Sequence, residues 1–486
     1  MNTITSTYIQ HRKNHPERIA IQTINHKITY NQLFTSVFQL SNWFLSKKES
    51  SNKIIAILLP NGIPFLQIFA GAVSAGWIVC PLDLKWSAED LKSRIDLCSP
   101  SMIITIEKFS HRLSICHRKV VLIEQLLAEV ESMPFPPPVL LEDVPFYMGF
   151  TSGSTGKPKA FVRSHSSWVE SFKCNVIDLH LKGSEDVLIP GGLIHSHFLY
   201  GAISTLYFGG TIYLLEKYSV SQLKKMLQIY PIKAAFMVPT MIESLLKTSE
   251  TIEKPLTIVS SGAKWEHHSK LRIKKAFPLL RFYEYYGASE LSFVTVLSHE
   301  DNQHYPNSVG KPCHNVELQI RKKNGELALI GEAGKIFVRS KMSFLGYKYT
   351  GETSITPIID KEGWMTVHDI GYLDSNGYLY INGRENNMIL YGGINIFPEE
   401  IEAVLSIHPN VKQVAVIGLK DRYWGEIVTA VVKGNVKVQE LKDLCKTKLS
   451  SYKVPRKWMI VDKFPLTSSG KIARDLVKKM IIGGNY

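Results

Sequence analysis

A short segment rich in hydroxyl, glycine and lysine residues is the clearest chemical feature of the sequence. Residues 150–159 read Phe-Thr-Ser-Gly-Ser-Thr-Gly-Lys-Pro-Lys. The hydroxyls, the ammonium groups and the backbone N–H groups that glycines leave accessible can all converge on phosphate oxygens. The spacing is not that of a Walker loop, because only two residues separate Gly153 from Gly156 and Lys157 is followed by Pro158. The segment therefore predicts a nucleotide-binding loop rather than a surface linker.

Four more segments follow this loop along the chain. They are Tyr285-Tyr286-Gly287-Ala288-Ser289-Glu290, the stretch from Trp364 to Asp369, the pair Gly383-Arg384, and the stretch from Pro465 to Arg474, which reads Pro-Leu-Thr-Ser-Ser-Gly-Lys-Ile-Ala-Arg. Together with the loop, they resemble in type and order the signature blocks of the acyl-adenylate-forming enzymes. That superfamily includes AMP-forming acyl-CoA synthetases, adenylation domains of peptide synthetases and firefly-type luciferases. Five matches in the right order are hard to obtain by chance.

The resemblance implies an α/β fold with a large N-terminal domain and a small, mobile α+β C-terminal domain. The large domain is expected to contain two subdomains with parallel-type α/β sheets and one β-barrel-like subdomain. The expected boundaries are 1–383 for the adenylation domain and 387–486 for the C-terminal lid domain, with a hinge at about 384–386. Asn386 stands where the hinge residue of this family is usually Asp or Lys.

Hydrophobic patterning is consistent with this division. Short apolar runs alternate with amphipathic stretches through the first half of the chain, which favours parallel sheets covered by helices. β-branched residues and turns over 316–347 indicate an antiparallel section, and Asp374-Ser375-Asn376-Gly377 predicts a hairpin turn. The individual predictions are strands over 53–59, 77–81, 102–106, 411–418 and 428–433, and helices over 64–75, 88–97, 398–406 and 438–449.

The resemblance also implies catalytic and metal-binding roles. Lys471 is expected to act as a point charge that stabilises the transition state when a carboxylate attacks the α-phosphate of ATP. Glu290 and Thr151 are expected to bind Mg²⁺ through oxygen atoms. His195, in the stretch 190–201, resembles the histidine and aromatic segment beside the acyl pocket of the family. A packed core histidine is the alternative.

The residues expected to bind ATP and CoA lie in the same segments and in two neighbouring glycine-containing ones. They are Thr151, Ser152, Gly153, Ser154, Thr155, Gly156 and Lys159 for the phosphates; Gly262, Ala263, Tyr286, Gly287, Ala288 and Ser289 for the adenine; Asp369 and Arg384 for the ribose; and Gly392 and Gly393 for the pantetheine arm of CoA.

Four positions depart from the family pattern. They are Ala160, where glycine usually follows the second lysine; Ser289, for threonine; Val367-His368, for Thr-Gly; and Glu284, where an amide is frequent. Ser289 retains a hydroxyl, and Glu284 is still able to accept a hydrogen bond from the adenine amino group. His368 is the departure expected to alter nucleotide affinity or to make it pH-dependent.

Charge and composition restrict the partners. The chain has 57 basic and 43 acidic side chains, a net charge of +14 and a pI of about 9.2. A basic surplus attracts polyanions such as ATP and CoA, but the lysines occur in separated pairs without a nucleic-acid-binding motif. A solvated basic surface is the first explanation, weak peripheral contact with acidic membranes the second, and nucleic acid is not an expected partner.

The sequence predicts no integral membrane segment and no secretion signal. The six cysteines are scattered without a metal-binding or disulfide spacing, so a cytoplasmic location is expected.

These observations predict an ATP-dependent acid–CoA ligase that uses ATP, Mg²⁺ and CoA. It would form acyl-AMP with release of pyrophosphate and then transfer the acyl group to the CoA thiol. Apolar residues such as Phe198, Leu199 and Met237 favour a fatty or other apolar acid. A stand-alone adenylating enzyme that loads a carrier protein is the alternative, and a non-catalytic nucleotide-binding relative, suggested by the four departures, is a third. The acid and the oligomeric state do not follow from the sequence.

Overall fold

The computed structural model describes residues 3–47, 52–134, 143–152, 158–247, 253–262, 265, 267–352, 354–391, 394–467 and 471–483. Two compact units divide the chain. Unit 1 is Met1–Leu318 with Val338–Met365, and unit 2 is Gln319–Phe337 with Thr366–Tyr486. The expected hinge at 384–386 falls inside unit 2 and stays a prediction.

Unit 1 contains most of the strands, and two strands, β16 and β17, begin in one unit and end in the other. The strands up to this point of the chain are β1 (Ile19–Gln22), β2 (Lys27–Thr29), β3 (Ile54–Leu58), β4 (Ile78–Pro81), β5 (Met102–Thr105), β6 (Lys119–Leu122), β7 (Pro145–Ser152), β8 (Pro158–Ser164), β9 (Val187–Ile189), β10 (Ile212–Leu214), β11 (Ala234–Met237), β12 (Leu256–Ser260), β13 (Leu280–Ala288), β14 (Ser292–Leu297), β15 (Lys311–Pro312), β16 (Val316–Arg321), β17 (Gly334–Ser340) and β18 (Gly346–Lys348).

Helices cover the sheets of unit 1. They are α1 (Tyr8–Asn14), α2 (Tyr30–Ser46), α3 (Ile63–Ser74), α4 (Ala88–Cys98), α5 (Glu107–Ser110), α6 (Ile123–Glu131), α7 (His165–Ile177), α8 (Ser196–Phe208), α9 (Val220–Ile229), α10 (Pro239–Leu246), α11 (His267–Ala276) and α12 (Asp301–His304).

Two sheets form the centre of unit 1. One has nine strands in the order β15-β14-β13-β12-β11-β9-β10-β1-β2, and the other has seven in the order β18-β8-β7-β4-β3-β5-β6. The strands β13, β12, β11, β9, β10 and β1 run parallel, as do β7, β4, β3, β5 and β6. Helices cover both faces of such sheets, so β3 is apolar and buried along its whole length. The expected pair of α/β sheets is confirmed.

Local sequence explains where several elements begin. The side chain of Thr29 accepts a hydrogen bond from the Gln32 backbone, and the Gln32 side chain accepts one from the Thr29 backbone, so a capping box begins α2. α2 packs closely on α3 at Gly71, where a Cβ atom would lie 2.5 Å from the Cβ of Leu40. The predicted helix over 64–75 and strand over 53–59 are confirmed as α3 and β3.

Unit 2 contains the remaining elements of the described chain. They are the strands β19 (Asp369–Leu373), β20 (Leu379–Arg384), β21 (Ile389–Tyr391), β22 (Ile394–Ile396), β23 (Val411–Asp421), β24 (Gly425–Gly434) and β25 (Lys457–Ile460), and the helices α13 (Pro398–Leu405), α14 (Val438–Lys448) and α15 (Arg474–Ile482).

Two sheets organise this part of the chain. β16, β17, β19 and β20 form a four-stranded sheet, and the predicted turn at Asp374 to Gly377 closes the β19–β20 hairpin with Gly377 at a φ of +78°. The antiparallel section expected over 316–347 contributes β16 and β17 to this sheet, whereas β18 pairs antiparallel with β8 in the seven-stranded sheet. The other sheet has the order β22-β21-β24-β23, with β25 parallel to β24. No helix among the described residues is long and apolar enough to cross a membrane.

Candidate active site

Four parallel strands bring candidate residues of unit 1 to one edge of the nine-stranded sheet. β9, β11, β12 and β13 are neighbours, and the segments after their carboxyl ends carry His195, Val238, Gly262 and Glu290. Ligands of open α/β sheets bind in the crevice outside these ends. The topology therefore assembles residues that are far apart in the sequence.

Glu290 lies in the tight turn between β13 and β14. Leu291 N donates a hydrogen bond of 3.0 Å to the Ala288 carbonyl, which closes the turn. Gly287 permits it, because a Cβ atom there would lie 1.9 Å from the carbonyl oxygen of Ser292. The close approach of the Ser292 carbonyl therefore requires glycine at position 287, independently of nucleotide binding.

Tyr347 connects Glu290 with Lys159. Its hydroxyl donates a hydrogen bond of 2.6 Å to Oε1 of Glu290, and the Lys159 ammonium lies 3.6 Å from the centroid of its ring. Only 8% of Glu290 is exposed. The structure therefore brings a buried carboxylate and the second lysine of the loop together around one tyrosine, which the sequence did not single out for this role.

The segment predicted to bind phosphates includes the facing ends of β7 and β8, which pair antiparallel. Thr151 pairs with Lys159 across the hairpin. The predicted residues Gly153, Ser154, Thr155 and Gly156, and the side chain of Ser152, lie outside what the structure describes. The hydroxyl oxygen of Thr151 is buried and has no hydrogen-bond partner among the described residues. Ala160, the first departure from the family pattern, is a fully buried residue of β8.

The donor set of this part of the site fits a magnesium ion. Mg²⁺ prefers oxygen ligands, and Glu290 supplies a carboxylate while Thr151 supplies an unpartnered hydroxyl oxygen. Bound with ATP, such an ion neutralises charge on phosphate oxygens. Glu290 and Thr151 are the residues that would hold it.

The segment expected at the adenine lies beside the carboxyl end of β12. Gly262 has a φ of +92°, which favours glycine, and Ser261 Oγ donates a hydrogen bond of 3.0 Å to the Tyr285 carbonyl. Tyr286, Ala288 and Ser289 are partly exposed on the same hairpin, whereas Ala263 lies outside the described residues. This arrangement leaves the tyrosine accessible to a flat ligand.

Glu284 has other partners than the expected adenine. Its carboxylate pairs with the buried ammonium of Lys270, and Trp265 N donates a hydrogen bond of 3.2 Å to its Oε2. Glu284 is therefore tied into the core of unit 1. The ion pair with Lys270 and the hydrogen bond from Trp265 give the acidic residue at this position a structural reason.

The histidine segment begins helix α8. His195 is its N-cap residue, and His195 N donates a hydrogen bond of 3.0 Å to Gly192 O. Two residues on, Nδ1 of His197 lies 2.8 Å from the hydroxyl of Tyr285. Burial is the main reason that the pKa of His197 falls to about 4, and the nearby His195 lowers it further. His197 is therefore neutral at physiological pH.

Aromatic rings surround this histidine. The centroid of the His197 ring lies 5.0 Å from that of Phe198 and 5.4 Å from that of Phe236, and the Tyr285 ring lies 4.2 Å from that of Phe293. Phe198 also covers Gly191, where a Cβ atom would lie 2.1 Å from its ring. We call His197, Phe198, Phe236, Tyr285 and Phe293 the aromatic wall.

Unit 2 brings three predicted residues together. Nε of Arg384 donates a hydrogen bond of 3.1 Å to Oδ1 of Asp369, which is 5% exposed. Lys471 is near enough to both for their charges to act on it. Although much of this lysine is exposed, partial desolvation of its ammonium lowers its pKa, Arg384 lowers it further and Asp369 opposes them. The ion pair of Asp369 and Arg384 thus lies in the same unit as Lys471, and both charges act on its ammonium.

Two hydrogen bonds with Thr467 hold the backbone of Lys471. Thr467 N donates a hydrogen bond of 2.7 Å to Lys471 O, and Lys471 N donates one of 3.1 Å to Oγ1 of Thr467. The predicted pantetheine residues Gly392 and Gly393 lie outside the described residues, and their role stays a prediction.

The backbone at His368 has an unusual conformation. Its φ is +65°, a conformation that glycine adopts more easily, in agreement with the glycine usual at this position in the family. Its Nδ1 lies 3.1 Å from Oε2 of Glu385, a carboxylate that also pairs with Lys335 at 2.9 Å. The expected effect of His368 on nucleotide affinity stays a prediction.

Arg474, at the end of the C-terminal motif, anchors helix α13. Its guanidinium forms two hydrogen bonds with the carboxylate of Glu402, one of them 2.6 Å from Nη2, and a third of 3.0 Å with Val416 O. We expect Arg474→Met to lower the free energy of unfolding by about 2–4 kcal/mol, because Glu402 loses the partner of its largely buried charge. Thermal and urea unfolding of the full chain measure this loss.

Lys478→Met provides the matched control. Its ammonium lies 3.7 Å from Glu426 in a more exposed pair, so we expect a loss below about 1 kcal/mol. Equal losses in the two variants would contradict the anchoring role of Arg474.

Comparison with known proteins gives consistent matches along the chain. Residues 9–348 match the family model of AMP-binding enzymes, and residues 400–471 match that of the AMP-binding enzyme C-terminal domain. An uncharacterized acyl–CoA ligase of Bacillus subtilis (strain 168), YhfT, is 48% identical over 480 residues, which are 99% of this chain and 98% of that protein.

Two more similarities concern proteins with named acids. VraA of Staphylococcus epidermidis, a putative long chain fatty acid–CoA ligase, is 30% identical over 98% of each chain. The solved structure of o-succinylbenzoate CoA synthetase (MenE) from Bacillus subtilis, in complex with its acyl-adenylate intermediate, has a TM-score of 0.89, 25% identity and coverage of 97% of each chain.

Proposed function

This chain belongs to the AMP-binding enzyme family as an AMP-forming acyl-CoA ligase, and we propose that the acid it joins to CoA is compact and largely apolar. The reaction has two steps. An oxygen of the acid attacks the α-phosphate of ATP and pyrophosphate leaves, and the CoA thiol then attacks the acyl carbonyl carbon and AMP leaves. The aromatic wall is the observation that carries the proposal about the acid.

We assign the residues of the site as follows. Lys471 stabilises the charge at the α-phosphate, and Lys159 with Thr151 binds the phosphates. Tyr286 stacks on the adenine, Asp369 accepts hydrogen bonds from the ribose hydroxyls, and Arg384 orients Asp369 through the 3.1 Å bond. His195 lines the acyl side at the start of α8. The region from 387 onwards moves about the hinge at 384–386 between the two steps.

The aromatic wall favours a compact acid. Its rings are in mutual contact at the sheet edge, and Phe198 and Phe236 are 4% and 1% exposed. A long acyl chain would need a continuous channel between α8 and the strands, where these side chains already pack against each other. A single ring or a short chain needs only the surface of the wall. Apolar contact with rings also suits an aryl acid.

The charge state of the wall favours an uncharged tail on the acid. His197 is neutral above a pH of about 4, because burial lowers its pKa to that value. Together with the Tyr285 hydroxyl, it offers hydrogen bonds but no countercharge. A second carboxylate on the acid would therefore find no ion-pair partner in this pair of residues.

Release of pyrophosphate with a panel of acids tests the proposal. Benzoate-type and short-chain acids should support the release of pyrophosphate and, with CoA present, equal amounts of AMP and acyl-CoA. Long-chain fatty acids should give a kcat/KM at least about tenfold lower. A preference for long-chain acids would contradict the proposal, and adenylate formation without a thioester product would favour transfer to a carrier protein.

Removing a ring from the aromatic wall should change the preference for compact acids. We expect Tyr285→Ala to raise the kcat/KM ratio of an eight-carbon acid to a four-carbon acid by about tenfold, because removal of the ring opens space next to Phe293. Tyr285→Phe is the matched control, since it retains the ring and loses only the bond to His197. If the ratio stayed the same in Tyr285→Ala, the wall would not limit the length of the acid.

A further inference from the structure

An arginine lies in the interior of unit 1, within the second strand of the β7–β8 hairpin. Arg163 belongs to β8 and is 1% exposed. Burial lowers the pKa of its guanidinium to about 9, so it still carries its charge at neutral pH. Among the described residues, no carboxylate lies in ion-pair distance of it. A buried charge of this kind is stabilised by hydrogen bonds, which its Nη1 and Nη2 atoms make, whereas its Nε has no partner among the described residues.

The hydrogen bonds of Arg163 converge on the turn that carries Glu290. Nη1 donates to the carbonyl oxygens of Ser289 and Glu290 at 3.1 Å and 3.3 Å, and Nη2 donates to Oγ of Ser292 at 2.7 Å. Ser292 has a φ of +59°, an unfavourable conformation for a serine. The guanidinium thus binds both ends of the turn and holds it in a conformation that its own sequence does not favour.

A fourth bond connects Arg163 to the segment that contacts the Glu290 carboxylate. Nη2 also donates to Met342 O at 2.6 Å. This segment continues to Phe344, whose N donates to Glu290 O at 2.8 Å, and to Tyr347, whose hydroxyl donates to Glu290 Oε1. One side chain therefore fixes the backbone of Glu290 and the start of the segment that binds its carboxylate.

We infer that Arg163 is a positioning residue that holds the Glu290 carboxylate in place for Mg²⁺. This inference rests on the assignment of Glu290 as a residue that would hold Mg²⁺ in the proposed ligase. All four of its hydrogen bonds end on the turn of Glu290 and on the neighbouring segment, rather than on other parts of unit 1. Groups that orient metal ligands typically change metal affinity 10–100-fold when they are replaced.

Replacement of Arg163 tests the inference through the dependence on Mg²⁺. Arg163→Met should raise the Mg²⁺ concentration that gives half-maximal pyrophosphate release by at least about tenfold. Arg163→Lys, which retains the charge but not the two-pronged geometry, should give an intermediate shift. The binding of ATP without metal, measured by calorimetry, should change by less than about threefold. An unchanged Mg²⁺ dependence in folded Arg163→Met would overturn the inference.

Arg112→Met is the control for loss of an arginine that donates to backbone carbonyls elsewhere in unit 1; Arg112 is half-buried. Arg112 donates hydrogen bonds to the carbonyl oxygens of Leu84 and Trp86, away from the turn. It should lower the melting temperature without a shift in the Mg²⁺ dependence. An equal shift in both variants would assign the effect to general destabilisation and contradict the inference.

Ser292→Gly tests the same contact in a variant that folds even if Arg163→Met does not. Glycine suits the φ of +59°, so the backbone is retained and only one of the two acceptors of Nη2 is lost. We expect a two- to fivefold shift in the Mg²⁺ requirement, and no shift would count against the inference.

Glu290→Gln separates the role of Glu290 from that of Arg163. If this variant leaves the Mg²⁺ dependence unchanged, the role of Glu290 itself is wrong. A shift in Glu290→Gln without a shift in Arg163→Met refutes only the role of Arg163.

Discussion

Lys471→Ala is expected to lower the rate of acyl-AMP formation by at least about 10³-fold, because the variant lacks the cation that stabilises charge at the α-phosphate in the transition state. The affinity for ATP should change by less than about threefold. Pyrophosphate release in single-turnover experiments measures the first quantity and calorimetry the second. Near-normal adenylate formation would refute the assignment of Lys471.

Two controls separate this effect from loss of structure. Transfer of the acyl group from supplied acyl-AMP to CoA should remain, since that step needs no new charge at the α-phosphate. Lys463→Ala, at an exposed lysine on the same segment, should leave both steps unchanged. A parallel loss of both steps in Lys471→Ala would indicate a misfolded unit 2.

The pH dependence gives an independent check on Lys471. The protonated ammonium is the form that stabilises the transition state, so activity falls as pH rises through its pKa. Partial desolvation and the charge of Arg384 lower this pKa. The alkaline limb of kcat should therefore lie below the ordinary lysine value of about 10.4. In Lys471→Arg, any remaining activity should lose this limb, because the guanidinium stays protonated.

Glu290→Gln is expected to lower the rate of adenylate formation by about 10²-fold at a fixed, low Mg²⁺ concentration. The neutral amide retains the size of the side chain but removes a charged oxygen ligand. Part of the loss should be recovered at high Mg²⁺. Steady-state rates over a range of Mg²⁺ concentrations give both values.

Tyr347→Phe is the matched variant for this prediction. It removes the hydroxyl that donates to Glu290 Oε1 but retains the ring beneath Lys159. We expect a smaller loss, about tenfold or less, because the carboxylate remains. A larger loss in Tyr347→Phe than in Glu290→Gln would show that the carboxylate is not the principal metal ligand.

Local patterns predicted much of the fold. The apolar run of β3, the helix that became α3 and the turn at Asp374 to Gly377 depend on neighbours in the sequence, and all three are present. Periodicity and turn residues report such local preferences directly. The pairing of β18 with β8 did not follow from these local preferences, because strand pairing depends on partners far along the chain.

The sequence predicted which motif residues belong to the candidate site, but not which other residues contact them. The motif resemblance identified Glu290, Lys159 and Lys471, each from its own segment. Tyr347, which joins Glu290 to Lys159, and Arg163, which fixes the turn of Glu290, carry no motif of their own. Their roles arise from contacts between residues far apart in the sequence, 57 residues for Tyr347 and Glu290 and 127 for Arg163 and Glu290. Periodicity gives no signal for such contacts. A lone arginine within an apolar strand was the one available hint.

The transfer of oxygen from the acid to AMP is the most direct test of the central claim that this chain activates a carboxylate at the α-phosphate of ATP. Benzoate labelled with ¹⁸O in both carboxylate oxygens is incubated with the enzyme, ATP, Mg²⁺ and CoA, and the products are analysed by mass spectrometry. One labelled oxygen should appear in AMP, one should remain in the thioester and none should enter pyrophosphate. Label in phosphate or pyrophosphate, or AMP without label, would contradict the account.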